Sequence, residues 1–310
     1  MKKIQYSRYG GPEELRLDEV TLPEPGKGEV RVQVKAASLN PMDWKIRRGE
    51  MKMLSGSRFP RGLGHDFAGV VEAVAPQVTS FQPGDDVIGV TSIPKAGAMA
   101  DYVVADAKNI GRKPARVSFE EAAALTIVGL TAWNALVAKA KLREGQAVFV
   151  NGCLGAVGRS AVQLAQMCHV SVAGSCSATG FEEARALGVG EVVDYRALDV
   201  HAFRRRFDVV FDTVGALSLR QCGVMLKQGG QSLHIVPSFA KWAGSLFSSR
   251  HHLVFGNPTP QSLAGITEAA GRGVLVPSIG RVVSLSEAIP AIIELEKTGL
   301  PKGKLVIVPT

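Results

Sequence analysis

The sequence predicts an α/β protein of two domains, a β-rich unit and a doubly wound parallel sheet. Three observations predict it. The texture changes near Gln146, from short β-rich segments broken by Gly and Pro to β-branched runs alternating with helical patterns. A glycine-rich turn stands between a strand and an amphipathic helix where the second texture begins. The 310 residues also exceed the length, ~250–300 residues, at which single cores stop growing.

In chain order, residues 1–117 read as short strands, with Val30–Val34 alternating and Ala68–Val74 following. Ser118 then reads as a helix N-cap, and Glu121 three residues on completes a capping box. Strands are predicted at Ala147–Val150, Val170–Ala173, Val192–Asp194, Asp208–Asp212, Ser232–Val236 and Leu253–Phe255, with crossover helices between them. From about Thr259 the tail reads as a helix, a mixed segment, a second helix and a last strand, Lys304–Val308. The expected domains are 1–119 with 259–310, and 120–258.

Composition narrows the classes of function. Hydrophobic residues make up 46% and charged residues 21%, which excludes a disordered chain. No membrane span is expected, because no stretch approaches the ~18–20 uninterrupted apolar residues a spanning helix needs. Met1–Arg8 carries two lysines and then turns polar, unlike a signal peptide, so a cytoplasmic location is expected. The net charge of +8 is mostly scattered. Its tightest run, Arg204–Arg206, reads as a solvated helix end, and no nucleic acid partner is expected. The cysteines Cys153, Cys168, Cys176 and Cys222 form no CxxC pair, which argues against a disulfide framework and a local zinc lobe.

The chemistry begins at Asn151-Gly152-Cys153-Leu154-Gly155-Ala156-Val157-Gly158. Its glycines serve a tight turn, close backbone approach to a pyrophosphate, and close helix–strand packing. The N–H groups opening the following helix, at Ala156 and Val157, then face phosphates without a basic side chain. The spacing is GxxGxxG, with Cys153 where the usual first glycine would be.

These residues carry a family resemblance. Ser38–Lys45, Gly64–Val71, Pro83–Val87, the turn at 152–158, Phe207–Gly215 and Gly303–Val306 follow one another as in the medium-chain dehydrogenase/reductases. Within them the chain resembles the zinc-free quinone oxidoreductase branch, with its zeta-crystallin-like and alkenal/enone reductases. The resemblance implies a GroES-like catalytic domain built from both chain ends, a Rossmann domain between them, and NADP(H) in the cleft. It places Asn40 where zinc-dependent members carry their first cysteine ligand, and Ile127 at their last ligand. No metal is therefore expected, and His65 is read as hydrogen-bonded within the fold. Asn40 and Thr131 fall at the nicotinamide end, Lys45 is the nearest cation to polarise a carbonyl, and Val214 and Gly215 join the cofactor contacts.

Without a Lewis acid, hydride transfer to a quinone or to the β-carbon of an α,β-unsaturated carbonyl makes less demand than alcohol oxidation. The expected activity is that of an NADPH-dependent reductase acting on such a small molecule. The rivals are a trans-enoyl thioester reductase and a cofactor-binding structural or sensor protein. NADPH is preferred because Val170–Ala173 runs into Gly174–Gly180 with no carboxylate before Glu182 to bind a ribose 2′-hydroxyl. Ser175 and Ser177 are the expected 2′-phosphate contacts, with Tyr195 on the adenosine side and the cation sought among Arg185, Lys302 and Lys304. The family further implies a homodimer through the edge strand expected at Leu253–Phe255.

Overall fold

Strand Glu29–Ser38 is buried along most of its ten residues, so its backbone groups must find partners within the protein. It pairs antiparallel with Asp66–Val74, Tyr102–Asp106 and the last strand, Lys304–Val308. The computed structural model describes residues 1–299 and 302–309, and the chain divides into two units. One comprises Met1–Ile127 and Pro258–Thr310, the other Val128–Asn257, the division falling within the helix Phe119–Trp133. Ser118 and Glu121 form the expected capping box: Ser118 N–H donates to Glu121 Oε2 at 2.9 Å and Glu121 N–H to Ser118 Oγ at 3.1 Å.

In the first unit a seven-stranded sheet encloses a core of Val, Ile, Leu and Phe side chains such as Val32, Phe67, Ile292 and Ile307. The tail joins this sheet because Val306 and Ile307 pair with Ser38 and Ala37. A buried ion pair adds a second tie: Arg47 Nη2 donates to both Glu296 carboxylate oxygens, at 2.7 and 2.8 Å, joining helix Pro41–Arg47 to helix Ala288–Thr298.

The second unit is a six-stranded, all-parallel sheet in the order Glu191–Asp194, Ser171–Cys176, Ala147–Asn151, Phe207–Asp212, Leu226–His234, His251–Leu253. Numbered along the chain this is 3-2-1-4-5-6, the doubly wound Rossmann order. Phe149, Phe203 and Phe207, with centroids 5.4–5.8 Å apart, fill one face.

Three expectations need correction. The edge strand lies at His251–Leu253, two residues before the apolar run expected to form it. Pairing with Ser232–His234 sets its register, and Ser232 Oγ sits 2.7 Å from His251 Nδ1, which lets polar residues occupy the strand. The fifth strand starts at Leu226 rather than Ser232, with an irregularity between its pairs to Phe207 and Val209. Arg204–Arg206 is a turn rather than a helix end, with Arg206 paired to Glu191 and packed over Phe203 and Phe207. Among the described residues, one helix is apolar and long enough to cross a membrane, Phe119–Lys139. It is read as a core helix, since 67% of its apolar window is buried inside the protein.

Candidate active site

In the first unit, three strand ends bring together side chains far apart in sequence. Ser38 ends one strand, Asp66 begins its register partner, and Lys304 begins the last strand. Asn40 lies two residues past Ser38 and caps helix Pro41–Arg47, its backbone N–H donating to Asp43 Oδ2 at 2.7 Å. Asp43 Oδ1 accepts from His65 Nδ1 at 2.6 Å. Asn40 Nδ2 donates to Asp66 Oδ2 at 2.9 Å, and Lys304 Nζ donates to Asn40 Oδ1 at 2.8 Å and reaches Asp66 Oδ2 at 3.2 Å. All are buried. Burial pushes the Asp66 carboxyl above the usual carboxylate range, although Lys304, Asn40 and Ser38 oppose that shift. Lys45 sits half-buried in the same helix as Asp43.

Lys304 was expected to lend charge to a cofactor phosphate. Its ammonium is instead sunk in this cluster, where it neutralises Asp66 and orients the Asn40 amide. Sequence reasoning saw Asn40 and Lys304 separately and passed over Asp66 as their common partner.

In the second unit the carboxyl ends of the parallel strands lie in register, Asn151 opposite Ser175 and Asp212, and Asp212 opposite His234. At this edge Gly152 has φ +80, and any Cβ on it would meet Val214 Cγ2 at 2.4 Å. A Cβ on Gly158 would meet the Gly152 carbonyl oxygen at 2.1 Å, so only glycine lets the helix pack there. Gly155 precedes helix Ala156–Met167 without a side-chain cap, and a Cβ on it would meet only the Gly152 oxygen, at 3.3 Å. The helix therefore presents the first-turn N–H groups of Ala156 and Val157 beside an open glycine, a cradle that fits an anionic group.

A polar network buried beneath this turn holds it in place. Ser175 Oγ donates to Asn151 Oδ1 at 2.6 Å and accepts from the Gly152 N–H at 3.2 Å. Asn151 Nδ2 donates to Asp212 Oδ1 at 2.8 Å. Asp212 also accepts from the backbone N–H of Gly215 at 2.9 Å and from Lys241 Nζ at 2.9 Å. Burial alone would raise the Asp212 carboxyl, but the His234 ring 3.5 Å away and the hydrogen bonds from Asn151 and Lys241 hold it well below the usual carboxylate range. Asp212 and Lys241, missed from sequence, thus shape the loop that carries Val214 and Gly215. Val214 is exposed, and Gly215 has φ +89.

Of the serines expected at the 2′-phosphate, Ser175 is fully buried and spent on the network, so its hydroxyl faces inward. Ser177 is half-buried, its Oγ 3.1 Å from Thr179 Oγ1. Cys176 and Asp194 are register partners, so Ser177 and Tyr195 each follow a strand end at the same edge. Tyr195 is exposed, with the Arg196 guanidinium 5.0 Å from its ring centroid. Arg196 follows Tyr195 at the neighbouring strand end, which only the strand register brings beside Ser177. Thr131 is buried in helix Phe119–Trp133.

The residues do not make a zinc site. Asn40 offers an amide already bonded on both sides, Asp66 is neutralised by Lys304, and Ile127 offers no donor. His65 Nε2 and Asp66 Oδ1 lack partners, but two atoms fall short of the three protein ligands that hold a catalytic zinc. No group of three or more His, Cys, Asp or Glu among the described residues has a metal-binding arrangement.

Comparison with known proteins decides the family. The profile described as "Alcohol dehydrogenase GroES-like domain" matches residues 26–115, and that described as "Zinc-binding dehydrogenase" matches 187–307. The quinone-oxidoreductase homolog of Spinacia oleracea is 33% identical over 247 residues, 76% of this chain and 75% of that protein. The chain belongs to the quinone oxidoreductases of the medium-chain dehydrogenase/reductase superfamily. It is similar to the NADPH-dependent alkenal/one oxidoreductase of Arabidopsis thaliana, 34% identical over 242 residues, 74% of this chain and 61% of that protein. The solved quinone oxidoreductase of Coxiella burnetii superposes with TM-score 0.89 at 30% identity over 99% of each chain. Membership in this family makes the chain a nicotinamide-dinucleotide-dependent oxidoreductase with a GroES-like and a Rossmann-like fold.

Proposed function

We propose that this oxidoreductase takes hydride from NADPH and delivers it, without zinc, to a quinone or to the β-carbon of an α,β-unsaturated carbonyl. The observation that carries this reading is the uncapped helix start beside Gly155 at the carboxyl edge of the parallel sheet, a cradle for a dinucleotide phosphate. The bound cofactor supplies the hydride. Everything else falls to the chain.

Hydride addition to a conjugated acceptor leaves negative charge on oxygen, spread as an enolate or phenolate, which a few hydrogen bonds stabilise. Asn40 serves there: its Nδ2 keeps one N–H beyond the bond to Asp66, and Asp66 and Lys304 fix its plane. Lys304 is thus a positioning residue, and Lys45 supplies positive charge on the adjoining helix. Thr131 packs beside the nicotinamide, as the resemblance implies. The proton that completes the reduction comes from water or from a ribose hydroxyl of the cofactor.

For the cofactor, Gly152, Gly155, Ala156 and Val157 hold the pyrophosphate, and Val214 and Gly215 the nicotinamide side. Ser177 and Arg196 meet the 2′-phosphate, with Tyr195 against the adenosine. The strand end offers no carboxylate to repel that phosphate. The chain works in the cytoplasm as a homodimer paired through the edge strand His251–Leu253.

The test is NADPH oxidation by purified protein with a panel of quinones and short enones, with and without a metal chelator. Turnover that survives the chelator is expected, with kcat/KM for NADPH about ten-fold or more above that for NADH, ~1.4 kcal/mol of discrimination. Ser177→Asp and Arg196→Ala should erode the NADPH preference and spare NADH. Absence of turnover with every acceptor overturns the activity, and equal use of NADH by the parent overturns the cofactor choice.

A further inference from the structure

His65 is a buried titratable group that the steps above leave unused. It stands just before strand Asp66–Val74, and its ring is 2% exposed. Asp43 Oδ1 lies 2.6 Å from its Nδ1. A carboxylate can only accept, so this contact fixes a proton on Nδ1 and leaves Nε2 as the nitrogen free to react. Among the described residues Nε2 has no hydrogen-bond partner, although it is buried. An unpartnered polar atom in the interior costs free energy, a cost that a binding or catalytic role explains.

A second atom of the same kind stands beside it. The register Asp66 to Val90 continues one step outward, where the Thr91 N–H donates to the His65 carbonyl oxygen at 2.9 Å. His65 and Thr91 are therefore cross-strand neighbours with side chains on one face. Thr91 is buried, and its Oγ1 also lacks a partner. An imidazole nitrogen and a hydroxyl thus turn to the same side, neither satisfied by the fold.

The ring is also tied to Asn40. The Asp43 carboxylate that holds Nδ1 accepts the Asn40 backbone N–H through Oδ2 at 2.7 Å. Asp66, the residue after His65, accepts from the Asn40 side-chain amide at 2.9 Å. One carboxylate therefore joins the imidazole to the residue that stabilises the reduced oxygen.

We propose that His65 Nε2 donates the proton that completes the reduction, with Asp43 orienting the ring. The inference rests on the oxidoreductase reading and gives the path by which a proton from water reaches the acceptor. The hydride pair forms the new bond at the β-carbon, the alkene pair shifts to make the enolate, and the carbonyl pair moves to oxygen beside Asn40. The oxygen pair then restores the carbonyl while the enolate double bond takes the Nε2 proton at the α-carbon. The N–H electrons stay on Nε2. With a quinone the same proton goes to the phenolate oxygen. Asp43 balances the charge of the ring while it holds both protons, and water returns one proton per turnover.

An enone methylated at the α-carbon tests the proposal, because the configuration of the product records which face was protonated. The parent should give one enantiomer in large excess. His65→Asn keeps an amide donor toward Asp43 and removes Nε2. Its kcat should fall about a hundred-fold with Tm and KM for NADPH unchanged, its product should be racemic, and added imidazole should restore kcat about ten-fold. Where only quinones turn over, kcat and its recovery by imidazole carry the test. A racemic product from the parent, a measurement that needs no variant to fold, overturns the proposal. Parental kcat and product configuration in His65→Asn do the same, and in both cases the oxidoreductase reading stands. No turnover of any quinone or enone by the parent overturns that reading, and the proton step with it.

Discussion

At the scale of single residues, Asp66 and Lys304 bring opposite charges into a dry site, with exposures of 0% and 5%. The desolvation cost of the pair is offset only while both partners and their hydrogen bonds from Asn40 and Ser38 remain. Lys304→Met leaves the carboxylate without its counter-charge and should cost about 3–5 kcal/mol of stability at neutral pH. The sign of its pH dependence follows from the direction of the Asp66 shift. A carboxyl raised in the folded state costs stability above its unfolded pKa, ~3.9, and that cost vanishes as pH falls below it. Removing Lys304 raises the carboxyl further, so the gap in Tm between parent and variant should narrow as pH falls from neutral toward ~4. Equal gaps in thermal melts at both ends of that range would mean that Asp66 is not the stranded charge. Little of this was legible beforehand. Asn40 and Lys304 stand 264 residues apart, and nothing local marks them as partners.

Among the elements, the glycine turn was legible because its demands are local: a strand, three glycines and an amphipathic helix in fixed order. The structure separates what each glycine does. Gly158→Ala drives a Cβ to 2.1 Å from the Gly152 oxygen, so backbone must move, at a cost of about 1–3 kcal/mol. Gly155→Ala meets nothing nearer than 3.3 Å and should melt near the parent. Its methyl nevertheless stands in the open cradle, and KM for NADPH should rise about ten-fold, equivalent to ~1.4 kcal/mol. Melting curves and KM values for the two variants check this split, and parental KM in Gly155→Ala would move the phosphate away from the turn. The strand at His251–Leu253 and helix Phe239–Phe247 were misjudged or passed over because apolarity predicts burial. In that strand register with a neighbour decided pairing, and in that helix a buried lysine decided which face turned out.

On the scale of the whole molecule, the first unit is assembled from both chain ends. Pairing of Val306 with Ser38 and the Arg47–Glu296 ion pair tie the tail to the first strands. The second unit ends in a three-residue edge strand that leaves backbone donors and acceptors on one side. Pairing of that edge with a second copy predicts a dimer by light scattering at micromolar concentration. Substituting Pro for His251, whose backbone N–H faces away from the neighbouring strand Ser232–His234, should shift the population toward monomer, because proline removes an edge donor. A monomeric parent would sink this expectation.

By itself the sequence determined the fold class, the glycine turn and the helix cap at Ser118, and its family resemblance implied that Asn40 and Ile127 replace zinc ligands. Each of these depends on neighbours within a few residues or on the ordered spacing of motifs. The tertiary structure alone decided that Lys304 serves Asp66 and Asn40, that Ser175 faces inward, that Arg196 stands one strand end from Ser177, and that Lys241 turns inward to Asp212. These are outcomes of strand register and burial, in which a charge takes whichever partner the packed chain brings within reach.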